Sequence, residues 1–149
     1  MAGTTRAFAG LGAGAGATTL GNETVVETLS DYTGTKIPKP CTCIVSQDGT
    51  GDYNVLPNED ASEVIQRAID YVNKKDGGEV RIKTGMYKCN STINVDGNVR
   101  ICGEHVTKTI IRARSRLSTL LKNSTNSRII FENLTLDGGG LVENVIDLE

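Results

Sequence analysis

The chain has no tryptophan, only 4% aromatic residues, one histidine and three prolines in 149 residues. Scarce aromatics leave few stacking platforms for sugars or bases. One histidine, His105, removes multi-histidine metal sites and makes histidine-based acid–base chemistry a matter of that residue alone. No sign of charge dominates: the formal net charge is −2, which gives no global pull towards nucleic acid or an anionic membrane. No apolar run approaches the ~20 residues that a membrane-spanning helix needs, so membrane insertion is not expected. A secretion signal is not legible either. The first residues carry one arginine and much glycine, where a positive start followed by a strongly apolar stretch is required.

The residues that could carry chemistry are scattered. The four cysteines are Cys41, Cys43, Cys89 and Cys102. A Cys-x-Cys pair with two distant cysteines and one histidine does not match structural zinc spacing, so no metal and no cofactor is expected. Cys89 and Cys102 end neighbouring predicted strands and read as small core residues. Free thiols are the default, and a disulfide cannot be read from spacing. Asp48, Asp52, Asp96 and Asp137 each lie beside or within one residue of glycine, as turns demand. Paired carboxylates facing a groove would serve glycoside hydrolysis; Asp137 is the one placed to face such a groove, with a turn aspartate as the ordinary reading. No catalytic, metal-binding or cofactor-binding residue is assigned. Arg112, Arg114 and Arg116 alternate and would share one face of an extended strand, as a polyanion-binding stripe, an inter-subunit contact or a solvated face. Glycosylation sequons at Asn22, Asn90, Asn123 and Asn133 are common by chance in such a chain.

Local order is clearest in the middle. Ala61, Val64, Ile65, Ala68, Ile69 and Val72 recur at i, i+3, i+4 and i+7 and predict an amphipathic helix over 61–74. Asp60, followed by Glu63, or alternatively Asn58, supplies the cap. Lys74 and Lys75 suit the negative helix end, and Gly77-Gly78 the left-handed stop. After the helix come short β-branched runs separated by Gly, Asn and Asp. They predict strands near 80–82, 87–89, 92–95, 99–102, 109–113, 119–121, 129–131, 134–136 and 145–148. The pieces are too short for alternating βαβ units.

Several phrases point to one architecture. Residues 62–103 read SEVIQRAIDYVNKKDGGEVRIKTGMYKCNSTINVDGNVRICG. This resembles the entrance of the pectin-lyase-like class of right-handed parallel β-helices, where a helix with an IQ-x-AID core precedes a GG-x-V strand and a P-x-G-x-Y-like turn. IIFENLTLDGG over 129–139 is similar to an I-x-I-x-N-L-x-I-D-G rung of that class. The resemblance implies that Asn133 either points inward and stacks on asparagines of neighbouring rungs or is a polar turn residue. IVSQDGTGDY over 44–53 resembles the DG-x-G-x-[FY] opening of pectin methylesterases and some tailspike proteins. The implied fold is all-β: a right-handed parallel β-helix with one N-terminal capping α-helix and an extended N-terminal arm. Its catalytic groups, where the class has them, belong on later rungs than these.

The expected organisation is an arm over 1–40, rich in Gly, Ala and Thr, and β-helix rungs over 41–149. A flexible linker is the ordinary reading of the arm's composition. As an anchor, it would run extended over other subunits, since it cannot bury a core of its own. The last predicted strand carries no cap, so either further chain or another chain would cover it. Two function classes follow. In the first the chain is a structural protein of a virion, the base of a tailspike, fibre or capsid-associated spike. It would contact other virion proteins through residues 1–40, form a homotrimer and meet a host-surface glycan, with no nucleic acid as partner. In the second it is the N-terminal fragment of a carbohydrate-active enzyme, a secreted or cell-surface lyase, esterase or glycosidase.

Overall fold

The computed structural model describes residues 41–148. The expectations for the arm over 1–40 lie outside the described residues. Among the described residues the chain forms eleven strands and one helix. The strands are β1 (Cys41–Ser46), β2 (Tyr53–Asn54), β3 (Gly78–Ile82), β4 (Gly85–Cys89), β5 (Ile93–Asn94), β6 (Val99–Gly103), β7 (Thr109–Ala113), β8 (Leu117–Asn123), β9 (Ile129–Glu132), β10 (Thr135–Asp137) and β11 (Val142–Leu148). The helix α1 (Ala61–Asn73) lies between β2 and β3.

All pairing is parallel, in three sheets. The first has the order β9-β6-β3-β1-β2, the second β10-β7-β4 and the third β11-β8-β5. The chain therefore visits first, second and third sheet in turn, and does so three times: β3-β4-β5, β6-β7-β8 and β9-β10-β11. Equivalent residues of successive circuits stack in register. Cys43, Val80, Ile101 and Phe131 form one column of the first sheet. Tyr87, Ile111 and Leu136 form a column of the second, and Ile93, Leu121 and Ile146 one of the third.

Strand alternation puts these columns in the core and the intervening residues outside. Val80, Ile82, Tyr87, Ile93, Ile101 and Ile111 are fully buried. Tyr87 is the largest side chain in that core; its hydroxyl donates to the Lys83 carbonyl at 2.9 Å, which meets the polar demand of a buried phenol. The column residues of the last circuit, Phe131 and Leu136, are only partly buried, and Ile146 is exposed.

The helix forms where the apolar periodicity places it, and buries Ala61, Ser62, Val64, Ile65, Ala68, Ile69 and Val72. Asp60 is the N-cap, accepting from Ser62 N at 3.0 Å. Asn58, the alternative cap, sits instead in a turn at φ 69. Lys74 is the C-cap, and the left-handed turn begins at Asp76 (φ 66), one residue before the expected glycine; Gly77 N then donates to Val72 O at 3.1 Å. Helix side chains close strand edges. The Gln66 amide donates to Asn94 O at 3.0 Å and accepts from Asn94 N at 2.8 Å, while Asn73 Nδ2 donates to Asp96 O at 2.7 Å. These bonds occupy backbone groups that an open sheet edge would leave bare.

Every expected strand is present: that over 109–113 has the expected bounds, and the others have ends shifted by up to three residues. Strands β1 and β2 are additional to those expected. They pair with each other across residues 47–52, and β1 also pairs with β3, which lies beyond the helix, so much of the pairing that makes β1 a strand is not local.

Candidate binding surface

The acidic residues singled out in the sequence are each engaged in local structure. Asp48 accepts from Thr50 N at 3.0 Å and pairs with Lys83 at 3.2 Å; hydrogen bonds from Thr50 and Ser46 hold its carboxyl well below the usual range. Asp52 accepts from Ile44 N at 2.8 Å. Asp96 accepts from Ser124 N at 3.0 Å and receives the side chain of Asn123. Asp137 accepts from Gly139 N at 2.8 Å and lies 3.4 Å from Nε of Arg112. It serves as a turn aspartate and ion-pair partner on β10, and these four carboxylates are not brought together as pairs by the contacts they make.

The thiols are all free. Burial pushes Cys43 up to about 11 and Cys89 up to about 12, with smaller contributions from Asp52 and Asp60 respectively. Cys43 and Cys89 belong to the core, as expected of Cys89. Cys102 is buried as well, as expected, at 4% exposure. Its place differs from theirs: it stands in register with Arg81 and Glu132, and its Sγ is 3.8 Å from a Glu132 carboxylate oxygen. His105 is exposed, with Nδ1 3.2 Å from the Thr107 hydroxyl. Among the described residues no group of three or more His, Cys, Asp or Glu could hold a metal ion.

Asn133 takes the turn alternative. It is exposed at φ 55, and its carbonyl oxygen stands over Gly103, where an added Cβ would collide with it. The buried asparagine is Asn123, which donates to Val95 O at 2.8 Å and to Ser127 Oγ at 3.0 Å. Sequence reasoning missed it because Asn123 was read as a separator between strands; only its neighbours across the circuit distinguish it from an exposed turn residue.

Two outer faces carry charge. On the first sheet, Glu79 is 8% exposed and pairs with Arg81 at 2.8 Å and with Arg100, which also reaches Glu132. One guanidinium thus joins β3, β6 and β9. Beside this network lies a shallow groove of ≈ 470 Å³ bordered by Thr42, Asn98, Arg128 and Ile130. On the second sheet, Lys88, Arg112 and Asp137 form an outward column. Arg112 is on β7, and Arg114, one residue past its end, flanks the buried Ala113 with it; Arg116 lies further beyond the strand, and all three are exposed. Met86, Lys88, Arg112 and Arg114 line a groove of ≈ 360 Å³. It runs into a second, of ≈ 340 Å³, that shares Met86, Lys88 and Arg114 and adds Gln47, Leu56 and Glu59. Leu56 is 64% exposed and Met86 39%, so the lining combines exposed apolar side chains with mainly basic ones. Such a surface can take an extended ligand that offers both carboxylates and apolar groups.

No protein-family model matches the chain, and no curated protein matches it. Among solved structures it is similar to "Geobacillus virus E2 - ORF18", with a TM-score of 0.54 and 17% sequence identity, over 87% of this chain and 27% of that one. At that identity the likeness is one of fold. The chain spans about a quarter of the length of the structure it matches.

Proposed function

We propose that residues 41–149 are the helix-capped first coils of a right-handed parallel β-helix. In this reading the chain is a structural protein of a viral particle, the base of a tailspike, fibre or capsid-associated spike. The observation that carries it is the threefold repetition of the same sheet order with in-register columns, closed on one side by a helix whose side chains satisfy strand edges. A solenoid grows by adding such units and needs that closure at its first one. The fold likeness to a phage protein supports a virion setting. Residues 1–40 fasten the molecule to other virion proteins, and the assembled form is a homotrimer that presents its outer faces to a host-surface glycan.

The test is a chain lacking residues 1–34. It keeps the far-ultraviolet circular dichroism of the β-rich part and fails to enter the parent assembly. Normal incorporation of the shortened chain overturns the anchoring role. The purified chain is further expected not to depolymerise pectin-like or capsular polysaccharides. Depolymerisation that is lost on Asp137→Ala overturns the structural reading in favour of an enzyme.

A further inference from the structure

We infer that the free edge of β4 is the seat for an extended peptide segment of a partner protein, which adds one strand to the second sheet. The three sheets differ in how they end on the side of the helix. The first is continued past β3 by β1 and β2, and in the third both backbone groups of Asn94 are taken by the Gln66 amide. The second ends at β4 itself. Gly85 N donates to Lys108 O at 2.7 Å and Cys89 O accepts from Arg114 N at 2.8 Å, so residues 85, 87 and 89 turn their backbone groups to β7. Residues 86 and 88 turn theirs to the open side. There the Met86 carbonyl accepts from the Gln47 amide at 2.8 Å, and Asn90 N donates to Asp60 at 2.9 Å. The N–H of Met86 and both backbone groups of Lys88 have no partner among the described residues.

The groove of ≈ 340 Å³ lies against these groups, bordered by Met86 and Lys88 and by residues 55–59 of the loop before α1. Three guest residues, which run ~10 Å, reach every bare group. Because the loop also borders the groove, the guest is a single segment and not the edge of a second solenoid. Bare donors and acceptors at strand spacing are matched by a polypeptide backbone; glycan hydroxyls do not repeat in that register. In either strand orientation the guest residue opposite Lys88 puts its side chain on the same face as Lys88. Lys88 is exposed and has no carboxylate partner among the described residues, whereas Arg112 is held by Asp137 and Arg114 lies near Asp60. The charges therefore ask for one acid, opposite Lys88. Glu59, the acidic residue of the lining, is turned to the Leu56 backbone N–H at 2.8 Å. Guest residues two before and two after the acid share its face and meet the exposed Met86 and Leu56, which favours apolar side chains there.

The test uses the full 149-residue chain, isotopically labelled, and the blocked peptide acetyl-Val-Thr-Glu-Thr-Val-amide. Its sequence reads the same in both directions, so either strand orientation presents the same side chains. Saturating peptide is expected to slow amide hydrogen exchange at Met86 and Lys88 about tenfold. A peptide N-methylated at the Glu and at the Thr after it keeps every side chain and loses the N–H groups that reach the Lys88 carbonyl; it is expected not to bind. Lys88→Glu weakens binding of the parent peptide about fivefold, and a peptide with Lys in place of Glu recovers the loss. An unchanged melting temperature excludes misfolding of the variant. Equal binding of the N-methylated peptide reduces the contact to charge and apolar adsorption and overturns the inference. Slow exchange at Met86 and Lys88 before peptide is added also overturns it, since the chain then fills its own edge. So does absence of binding at millimolar peptide, or an acidic oligosaccharide that protects these two amides as well as the peptide does. Each of these outcomes leaves the assembly reading to its own test of incorporation.

Discussion

Tyr87 shows at one residue what holds the interior. The ring fills the column shared with Ile111 and Leu136, and its hydroxyl has the Lys83 carbonyl as partner. Tyr87→Phe removes one hydrogen bond and is expected to cost about 1 kcal/mol. Tyr87→Ala empties a fully buried site and is expected to cost roughly 3–5 kcal/mol. Urea unfolding of the two variants measures the difference; equal losses would place the stabilisation in the hydroxyl and contradict the packing account. Thiol chemistry gives a second check at this scale. Burial raises Cys43 and Cys89 far above the ordinary thiol value, whereas Cys41 is half-exposed. Alkylation of the native protein at pH 8 is expected to modify Cys41 well before Cys89. Equal rates would mean that the core is open. Glycine matters at Gly103, where the carbonyl of Asn133 from the next circuit occupies the space of a side chain. Gly103→Ala is expected to cost about 1–3 kcal/mol through overpacking, read as a lowered melting temperature.

At the scale of the element, α1 and the strands differ in how much of them the sequence reveals. A helix is specified by residues three and four apart, and the stripe from Ala61 to Val72 locates it to within one residue. Its start is fixed by Asp60, which has more partners than a cap requires: Ser62 N and, from the end of β4, Asn90 N at 2.9 Å. Burial works against ionisation of this carboxyl, but the hydrogen bonds from Ser62 and Asn90 outweigh it and lower its pKa. A carboxyl lowered on folding adds stability that is present above its unfolded value, near ~4, and lost as pH falls through the folded value. Asp60→Ala is expected to cost about 1 kcal/mol at pH 7 and to flatten the loss of stability below pH ~4. A variant as acid-sensitive as the parent would show that the cap is not the titrating contact. Strands are legible as segments but not as partners. The register Val80–Ile101–Phe131 joins residues far apart in the chain, and no local pattern encodes it. For the same reason the neighbours of Cys102, which is buried as expected but in register with Arg81 and Glu132, were not legible, and β1 was not expected to be a strand at all.

At the scale of the whole molecule, the phrases over 62–103 and 129–139 pointed to a right-handed parallel β-helix behind one capping helix; the chain builds three parallel sheets and one helix packed against them. The candidate surface was legible only in part. The alternation of Arg112 and Arg114 foretold a basic face, but Lys88, Met86 and Leu56 join it through pairing and loop packing that the sequence does not display. The circuits are also tied together outside the core, by Arg100 between Glu79 and Glu132 and by Arg112 with Asp137. The Arg100–Glu132 and Arg112–Asp137 pairs are exposed and contribute little singly, and the nearly buried Glu79 carboxylate gives up hydration for its partners, so the stacking of the apolar columns has to carry the fold. The measurement that addresses this claim most directly is a nuclear Overhauser spectrum of the isotopically labelled chain. The account predicts backbone contacts in parallel register along Val80–Ile101–Phe131, Tyr87–Ile111–Leu136 and Ile93–Leu121–Ile146, one series for each sheet. Close Hα–Hα contacts of antiparallel hairpins between consecutive strands, such as β3 with β4, would contradict it.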